Sequence, residues 1–304
     1  MIDYLKEEGI EQLLIDEIQD FRNKYSVDKT QISRVPCPKY KYYGSKTLRQ
    51  AIIAILAGEN LLLTGPKATG KNVLAENLSY IFGRPQWDVS FYINIDAATL
   101  IGSDTLKDGQ VVFREGPISQ CAKYGGFGVL DEINMAKNES LAVLHAILDY
   151  RKTIDVPGYD KIVPHEAMRY IGTMNYGYAG TRELNEALTS RFVVIDLKPM
   201  EAEELKKLIN SQFPTLKEKW CEQFTELFMD IRKKTDSLEI SPKSLDLRGL
   251  LSAISLMERG MSTQDALSLG IINKVFDSFE RDLVEDMVKA RISNVKERSK
   301  LFHD

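Results

Sequence analysis

The chain has 304 residues, of which 43% are hydrophobic and 28% are charged, a profile typical of a globular protein with one large domain or two. Lys and Arg number 40 against 44 Asp and Glu, and the formal net charge of −4 argues against nucleic acid as the main partner. The sequence opens without a basic leader and contains no apolar run of about 18 residues, so neither a signal peptide nor a membrane segment is expected.

The cysteines indicate a reducing environment. Cys37, Cys121 and Cys221 are far apart and odd in number, and they match neither a metal-ligand spacing nor a disulfide framework. We therefore expect buried packing roles for them and a cytoplasmic location.

The first part of the chain is predicted to be helical. Apolar residues recur at helical spacing over residues 5–21. Two prolines make the stretch 35–44 irregular, so residues 1–40 are predicted to form an N-terminal helical segment and linker. A short helix that stops at Gly58 follows.

The middle of the chain, residues 41–199, alternates strand-like and helical stretches, which predicts an α/β domain with a mostly parallel sheet. The predicted strands are Asn60–Thr64, Trp87–Ile93, Phe127–Leu130, Tyr170–Met174 and Phe192–Asp196. After Pro199 apolar residues recur every three or four positions without a strand pattern, so residues 200–304 are predicted to form a small all-α domain.

A glycine-rich loop after the first strand carries the clearest chemistry. Four residues separate Gly65 from Gly70, and Lys71 follows, which is the spacing of a P-loop except that Asn72 stands where Ser or Thr is usual. Backbone N–H groups and the helix N-terminus would bind phosphates, and Lys71 would reach the β- and γ-phosphates. The predicted nucleotide-binding residues of the loop are Gly65, Pro66, Lys67, Ala68, Thr69, Gly70, Lys71 and Asn72. A turn that binds nothing is the weaker alternative, because the strand–loop–helix context is the one that the motif requires.

Further polar residues follow at strand ends. Asp131 and Glu132 end an apolar strand, where Asp131 with Asn72 could hold Mg²⁺ and Glu132 would face the attacking water. Asn175 ends the next strand, and Arg191 precedes the last one. Alone, these would be read as solvated acids, a turn asparagine and a surface arginine. The P-loop upstream favours a catalytic role for Glu132, and the Asn175 amide could bond the γ-phosphate and the attacking water, whereas a role for Arg191 depends on the resemblance given next.

This order of motifs resembles the AAA+ superfamily and, within it, the MoxR family. The resemblance runs from about Tyr43 to Pro199. It is carried by Phe113–Pro117, Val129–Asn134, Gly180–Leu188 and Arg191-Phe192. It implies a P-loop NTPase αβα core with a five-stranded sheet, a helical lid, and a ring, commonly of six subunits, with nucleotide between neighbours.

The resemblance also implies individual roles. Asp131 and Glu132 would be the Walker B pair, Asn175 the sensor on the fourth strand, and Arg191 the finger that enters the neighbouring subunit's site.

Other stretches are less regular. Thr99–Phe113 looks like the family's hairpin insertion in the second helix, and Arg151–Glu166 looks like the insertion before the sensor strand. Such insertions face the ring pore or partner proteins. Asn72 departs from the family pattern because it lacks the hydroxyl that normally ligates Mg²⁺. For the lid residue that senses the γ-phosphate, Lys243 occupies the usual place but lacks the planar fork of an arginine, and Arg248 is the alternative.

The leading interpretation is an ATP- and Mg²⁺-dependent homo-hexameric ATPase that remodels or activates a client protein. The resemblance adds metalloenzyme maturation and a von Willebrand factor A domain adaptor as implications. One alternative is a nucleotide-dependent scaffold with little hydrolysis, which Asn72 favours. The other is a nucleic-acid motor or restriction-type GTPase, against which the charge balance and the lack of a helix-turn-helix or zinc module count.

Overall fold

A computed structural model of the chain describes residues 1–149, 153–156, 158–176, 183–241 and 244–303. The chain divides into two compact units, Met1–Pro199 and Met200–Asp304. Within the described ranges, no helix has both the length and the apolar character that crossing a bilayer requires.

The first unit is built on a parallel sheet. Its strands are β1 (Leu61–Thr64), β2 (Gln86–Ser90), β3 (Gly102–Lys107), β4 (Gln110–Glu115), β5 (Phe127–Asp131), β6 (Arg169–Met174) and β7 (Val193–Asp196). Five of them form an all-parallel sheet in the order β2-β5-β6-β1-β7, while β3 and β4 form a separate antiparallel hairpin. All four residues of β1 are buried, as expected for an interior strand covered on both faces. The predicted five-stranded α/β core is confirmed.

Helices cover both faces of this sheet. They are α1 (Ile2–Glu7), α2 (Gln12–Lys24), α3 (Ser45–Leu56), α4 (Lys71–Ile81), α5 (Ala97–Ile101), α6 (Pro117–Tyr124), α7 (Asn138–Leu148) and α8 (Glu186–Thr189). Short 3₁₀ turns lie at Lys29–Arg34 and Ile133–Met135. Side chains of α1 to α4 form one apolar core with the sheet, and those of α5 to α8 contribute to the other. The N-terminal helices therefore pack into the core of this unit.

Two predicted boundaries differ from the structure by more than one residue. The strand predicted to reach Ile93 ends at Ser90, because Ser90 pairs with Asp131, the last residue of β5. The backbone N–H of Phe91 donates a final hydrogen bond to the Asp131 carbonyl oxygen at 2.8 Å. The hairpin expected within Thr99–Phe113 spans Gly102–Glu115 instead, since the first residues of that stretch complete α5.

The second unit is helical, as predicted. Its helices are α9 (Ala202–Gln212), α10 (Glu218–Asp236), α11 (Leu247–Glu258), α12 (Thr263–Gly270), α13 (Ser278–Arg291) and α14 (Arg298–Leu301). A capping box between Glu201 and Glu204 begins α9. In the described residues of this unit, extended pairing is limited to a single bridge between Leu216 and Phe302.

Candidate functional site

The glycine-rich loop runs from β1 into α4, and its glycines have steric reasons to be glycine. Gly65 has φ 143°, and a Cβ there would lie 2.6 Å from the carbonyl oxygen of Leu197. Gly70 has φ 81°, and a Cβ there would lie 3.3 Å from the ring of Tyr42. Only glycine adopts such conformations freely while allowing this close approach, so the loop can wrap tightly around a ligand.

Lys71 lies beneath this loop. Its Nζ donates hydrogen bonds to the carbonyl oxygens of Gly65 at 2.9 Å and Pro66 at 2.7 Å, and it lies 3.3 Å from the hydroxyl oxygen of Thr69. The ammonium group is therefore held at the loop's concave side by the loop's own carbonyls, where phosphate oxygens can replace them.

Acidic residues surround this lysine. Burial lowers the pKa of Lys71 to about 8, while the nearby carboxylates of Asp131, Glu132 and Asp196 act in the opposite direction. These three carboxylates end the strands β5 and β7, so the electrostatic coupling reflects the meeting of strand ends at one edge of the sheet.

Asn72 is the second residue of α4 and is exposed. Within the described chain, its side chain makes no hydrogen bond to another residue. The amide is thus available at the mouth of the P-loop, where a Ser or Thr hydroxyl is usual.

The two carboxylates after β5 are tied to the neighbouring strand. The Thr173 hydroxyl of β6 donates to Asp131 Oδ1 at 2.5 Å, and the backbone N–H of Glu132 donates to Thr173 Oγ1 at 3.1 Å. Glu132 has φ 54° and ψ 43°, the left-handed conformation that side-chain-bearing residues rarely adopt. The turn after β5 directs its carboxylate away from the strand and leaves it exposed.

Asn175 follows β6 and reaches the same place. Its Nδ2 lies 3.3 Å from Glu132 Oε1. Asn134, which is buried in the turn after Glu132, donates from Nδ2 to the Asn175 carbonyl oxygen at 2.8 Å. The structure therefore brings the predicted sensor and the predicted Walker B glutamate together.

Arg191 is held within its own subunit. Its Nη2 lies 3.4 Å from Asp149 Oδ2, and the side chains are 27% and 14% exposed. The guanidinium also donates to the Ala187 carbonyl oxygen, and its Nε is buried without a hydrogen-bond partner. The arginine is thus half-buried rather than extended into solvent.

The lid candidates are less informative. Arg248 is an exposed residue in the first turn of α11, in the second unit. Lys243 lies outside the described residues, as do parts of the Gly180–Leu188 and Arg151–Glu166 stretches. Both lid assignments remain predictions.

Sequence reasoning missed three residues that contact predicted site residues. Thr173 contacts Asp131 and Glu132, Asn134 contacts Asn175, and Asp149 pairs with Arg191. Thr173 and Asn134 lie inside motifs already singled out, so polar residues at those strand ends were a usable signal. Asp149 had none, because its partner lies 42 residues away in the chain.

Comparison with known proteins finds one matching family and several relatives. The AAA domain family (dynein-related subfamily) matches residues 60–192. The uncharacterized protein YojN of Bacillus subtilis is 34% identical over 255 residues, which cover 82% of this chain and 84% of YojN. An uncharacterized Staphylococcus aureus protein is 34% identical over 256 residues, covering 82% of this chain and 97% of its own length. A Cytophaga hutchinsonii crystal structure, described provisionally as an ATPase, aligns with a TM-score of 0.46 and 16% identity over 97% of this chain and 99% of its own.

Proposed function

Since this chain belongs to the same family as YojN and holds an AAA domain of the dynein-related subfamily, we propose that it binds and hydrolyses ATP with Mg²⁺. The observation that carries the proposal is the convergence of strand-end groups beside the P-loop. Asn175 lies 3.3 Å from Glu132, and the charges of Asp131 and Glu132 act on Lys71. Hydrolysis of a nucleoside triphosphate requires a loop that binds the phosphates, a carboxylate that ligates the metal ion, and a second carboxylate that acts as general base.

Nucleotide binding is assigned to residues 65–72. Backbone N–H groups of the loop and the N-terminus of α4 favour anions, and Gly65 and Gly70 allow the phosphates to approach the backbone. Lys71 would exchange its bonds to loop carbonyls for bonds to phosphate oxygens. A cation held at 2.7 to 2.9 Å from neutral carbonyls gains from that exchange, because bonds between two charged partners are stronger.

Asp131 and Asn72 fit Mg²⁺ by the chemistry of their donors. Mg²⁺ prefers oxygen ligands and takes one or two from the protein, with phosphates and waters completing the octahedron. Thr173 occupies Asp131 Oδ1, and among the described residues none donates a hydrogen bond to Oδ2. When bound, Mg²⁺ would neutralise charge on the β- and γ-phosphates.

Glu132 and Asn175 would act on the attacking water. The exposed Glu132 carboxylate can accept a proton from water, while the Asn175 amide can donate to a phosphate oxygen or to Glu132. Asn175 Nδ2 lies 3.3 Å from Glu132 Oε1, and a γ-phosphate would compete for the same amide.

We further propose that the active form is a ring, by resemblance a homo-hexamer of the MoxR type, in which Arg191 acts on the neighbour's nucleotide. Within its own subunit, Arg191 is half-buried and pairs with Asp149. To act on a triphosphate, Arg191 would exchange its contacts with Asp149 and the Ala187 carbonyl oxygen for contacts with phosphate oxygens, and its Nε has no bond to lose.

The work done by hydrolysis would be remodelling of a client protein. The hairpin β3–β4 offers a surface for it, because Leu106 and Val111 pair across its tip and are 74% and 65% exposed. The MoxR resemblance suggests metalloenzyme maturation and a von Willebrand factor A domain adaptor, and co-purification of the native complex would identify both.

The proposal is tested at Glu132. Glu132→Gln keeps the size of the side chain but removes the base, so turnover should fall by roughly 10²- to 10⁴-fold. ATP affinity should stay within several-fold, because the phosphate cradle is intact. Phosphate release and fluorescent-nucleotide titration measure the two quantities. Loss of ATP binding together with turnover would contradict the catalytic assignment and indicate a structural Glu132.

A nucleotide-dependent scaffold with slow hydrolysis is the second candidate, and Asn72 is the observation that favours it. If the wild-type protein binds ATP but its turnover equals that of Glu132→Gln, the protein is a nucleotide-dependent scaffold and not an ATPase. DNA-stimulated turnover would instead support a nucleic-acid motor.

A further inference from the structure

Thr173 contacts both residues whose carboxylates the proposed hydrolysis uses, Asp131 through its side chain and Glu132 through its backbone. It is 1% exposed, and its Oγ1 is 2.5 Å from Asp131 Oδ1 and 3.1 Å from the Glu132 backbone nitrogen. The Thr173 hydroxyl therefore contacts the Asp131 side chain at the end of β5 and the Glu132 main chain directly after it.

The position of the hydroxyl proton follows from its partners. A backbone N–H can only donate, so Thr173 Oγ1 must accept from Glu132. The threonine proton is then directed at the Asp131 carboxylate, as the short 2.5 Å separation expected for an O–H···O⁻ bond also indicates. A group with one donor and free lone pairs is needed here, and among side chains of this size only Thr and Ser provide it.

Sheet register places this hydroxyl. In the parallel pairing of β5 with β6, Leu130 is opposite Gly172, so Asp131 and Thr173 come next at the strand ends. Thr173 is also opposite Leu63 of β1, and it is therefore flanked by strands on both sides. Its position is set by the interior of the sheet rather than by a loop.

The same hydroxyl stabilises an unfavourable backbone. Glu132 is left-handed at φ 54°, a conformation that persists in a non-glycine residue only where its surroundings hold it. The bond from its N–H to Thr173 is one such restraint, and the contact of its carboxylate with Asn175 is another. Loss of the hydroxyl would free both the direction of Glu132 and the rotation of Asp131.

We propose that Thr173 is a positioning residue for ATP hydrolysis. It holds Asp131 by Oδ1, which would leave Oδ2 to bind Mg²⁺, and it restrains the backbone of Glu132, whose carboxylate would accept a proton from water. This inference rests on the proposed function. It predicts that turnover and the Mg²⁺-dependent part of nucleotide affinity require the Thr173 hydroxyl. Nucleotide affinity without Mg²⁺ should not require it, because the P-loop alone binds the phosphates.

The test compares Thr173→Val, Thr173→Ala and Thr173→Ser. Val and Ala should lose about 10- to 100-fold in turnover and in the Mg²⁺-induced gain of nucleotide affinity, the size of effect found when a group that orients a metal ligand is removed. Affinity for a fluorescent ATP analogue in EDTA should be unchanged. Ser keeps the hydroxyl and should stay within a few-fold of wild type in both measurements.

Thr225→Val is the matched control. Thr225 is also 1% exposed, but its hydroxyl bonds to the Cys221 carbonyl oxygen in α10 of the second unit. Thr225→Val should change the melting temperature as a buried Thr-to-Val substitution does, but it should leave the Mg²⁺ dependence of nucleotide affinity unchanged. If Thr173→Val fails to fold, comparing Thr173→Ala with Thr173→Ser still isolates the effect of the hydroxyl.

Two results would overturn the proposal: Val and Ala with wild-type Mg²⁺ dependence and turnover, or Ser as impaired as Val. If wild type shows no turnover, the proposed ATPase function fails. The inference about Thr173 is then still decided by Mg²⁺-dependent nucleotide affinity, in which Ser must match wild type and Val must not.

Discussion

Asn72 is the position at which the P-loop of this chain departs from the usual motif. Asparagine offers a carbonyl oxygen, a ligand acceptable to Mg²⁺, but its side chain is one heavy atom longer than that of serine. Because Mg²⁺ requires near-ideal octahedral geometry, that extra length must be absorbed by strain or by an intervening water. The phosphate cradle consists of backbone groups and Lys71, so it is unaffected.

We therefore expect ordinary ATP affinity, a shallow Mg²⁺ dependence and slow basal turnover. Asn72→Thr should raise basal hydrolysis by about tenfold and sharpen the Mg²⁺ requirement, because it restores a hydroxyl at the metal. Phosphate release against Mg²⁺ concentration measures both. Asn72→Ala is the control, since it removes the amide without adding a hydroxyl and should be slower than wild type. Brisk wild-type turnover that the Thr variant reduces would mean that Asn72 is an adapted ligand.

At the scale of elements, a buried arginine joins parts of the first unit that are far apart in sequence. Arg84 is fully buried and lies between α4 and β2. It donates to the carbonyl oxygens of Gly125 at 2.7 Å and Tyr124 at 3.1 Å at the end of α6, and to that of Tyr25 after α2. Burial lowers its pKa to about 10, but the group remains charged at neutral pH.

Arg84→Met should lower the free energy of unfolding of the first unit by roughly 2 to 4 kcal/mol, because it leaves buried carbonyl oxygens without donors. Relief from burying a charge offsets part of that loss. Urea unfolding followed by tryptophan fluorescence measures it. The control is Arg49→Met, which removes the same charge from an exposed pair with Glu11 and should cost less than about 1 kcal/mol. Equal losses for the two variants would show that the buried carbonyl contacts contribute little.

The strands of this unit were predictable because their burial on both faces produces uninterrupted apolar runs. Phe127–Asp131 and Arg169–Met174 were predicted to within one residue. The end of β2 was misplaced, because Tyr92 and Ile93 are apolar yet about half exposed beyond the last paired residue. Strand order does not follow from these local patterns and was not predicted, since the family resemblance implied only the number of strands.

Contacts within the candidate site were less accessible to sequence reasoning. The P-loop is local, so its spacing alone identifies it. Thr173 and Asp131 meet only through the register of two parallel strands. The pair of Asp149 with Arg191 joins the residue after α7 to the segment between α8 and β7. Such pairs depend on tertiary placement, which residue patterns do not encode.

At the scale of the whole molecule, Arg191 raises the question of how many subunits make one active site. A residue that serves a neighbour's nucleotide must leave partners in its own subunit, here Asp149 and the Ala187 carbonyl. If Arg191 acts in this way, hydrolysis requires assembly, because a subunit without a neighbour receives no arginine at its nucleotide. Turnover should accordingly depend on protein concentration.

Mixed rings give the decisive measurement. An arginine that acts across subunits contributes roughly 10³ to 10⁵ in rate in well-studied nucleoside triphosphatases, so Arg191→Ala should abolish turnover while nucleotide affinity stays within several-fold. Lys71→Ala should also be inactive, because it lacks the cation of the P-loop. When the two are mixed, a subunit with an intact P-loop can receive an intact arginine from its neighbour, and phosphate release should recover in part. The matched control mixes Arg191→Ala with the double variant Lys71→Ala, Arg191→Ala, which has no complete site in any arrangement and should stay inactive. If co-purification shows that mixed rings form and no ratio of the single variants regains turnover, Arg191 does not act in trans, and its pair with Asp149 is a structural contact within one subunit.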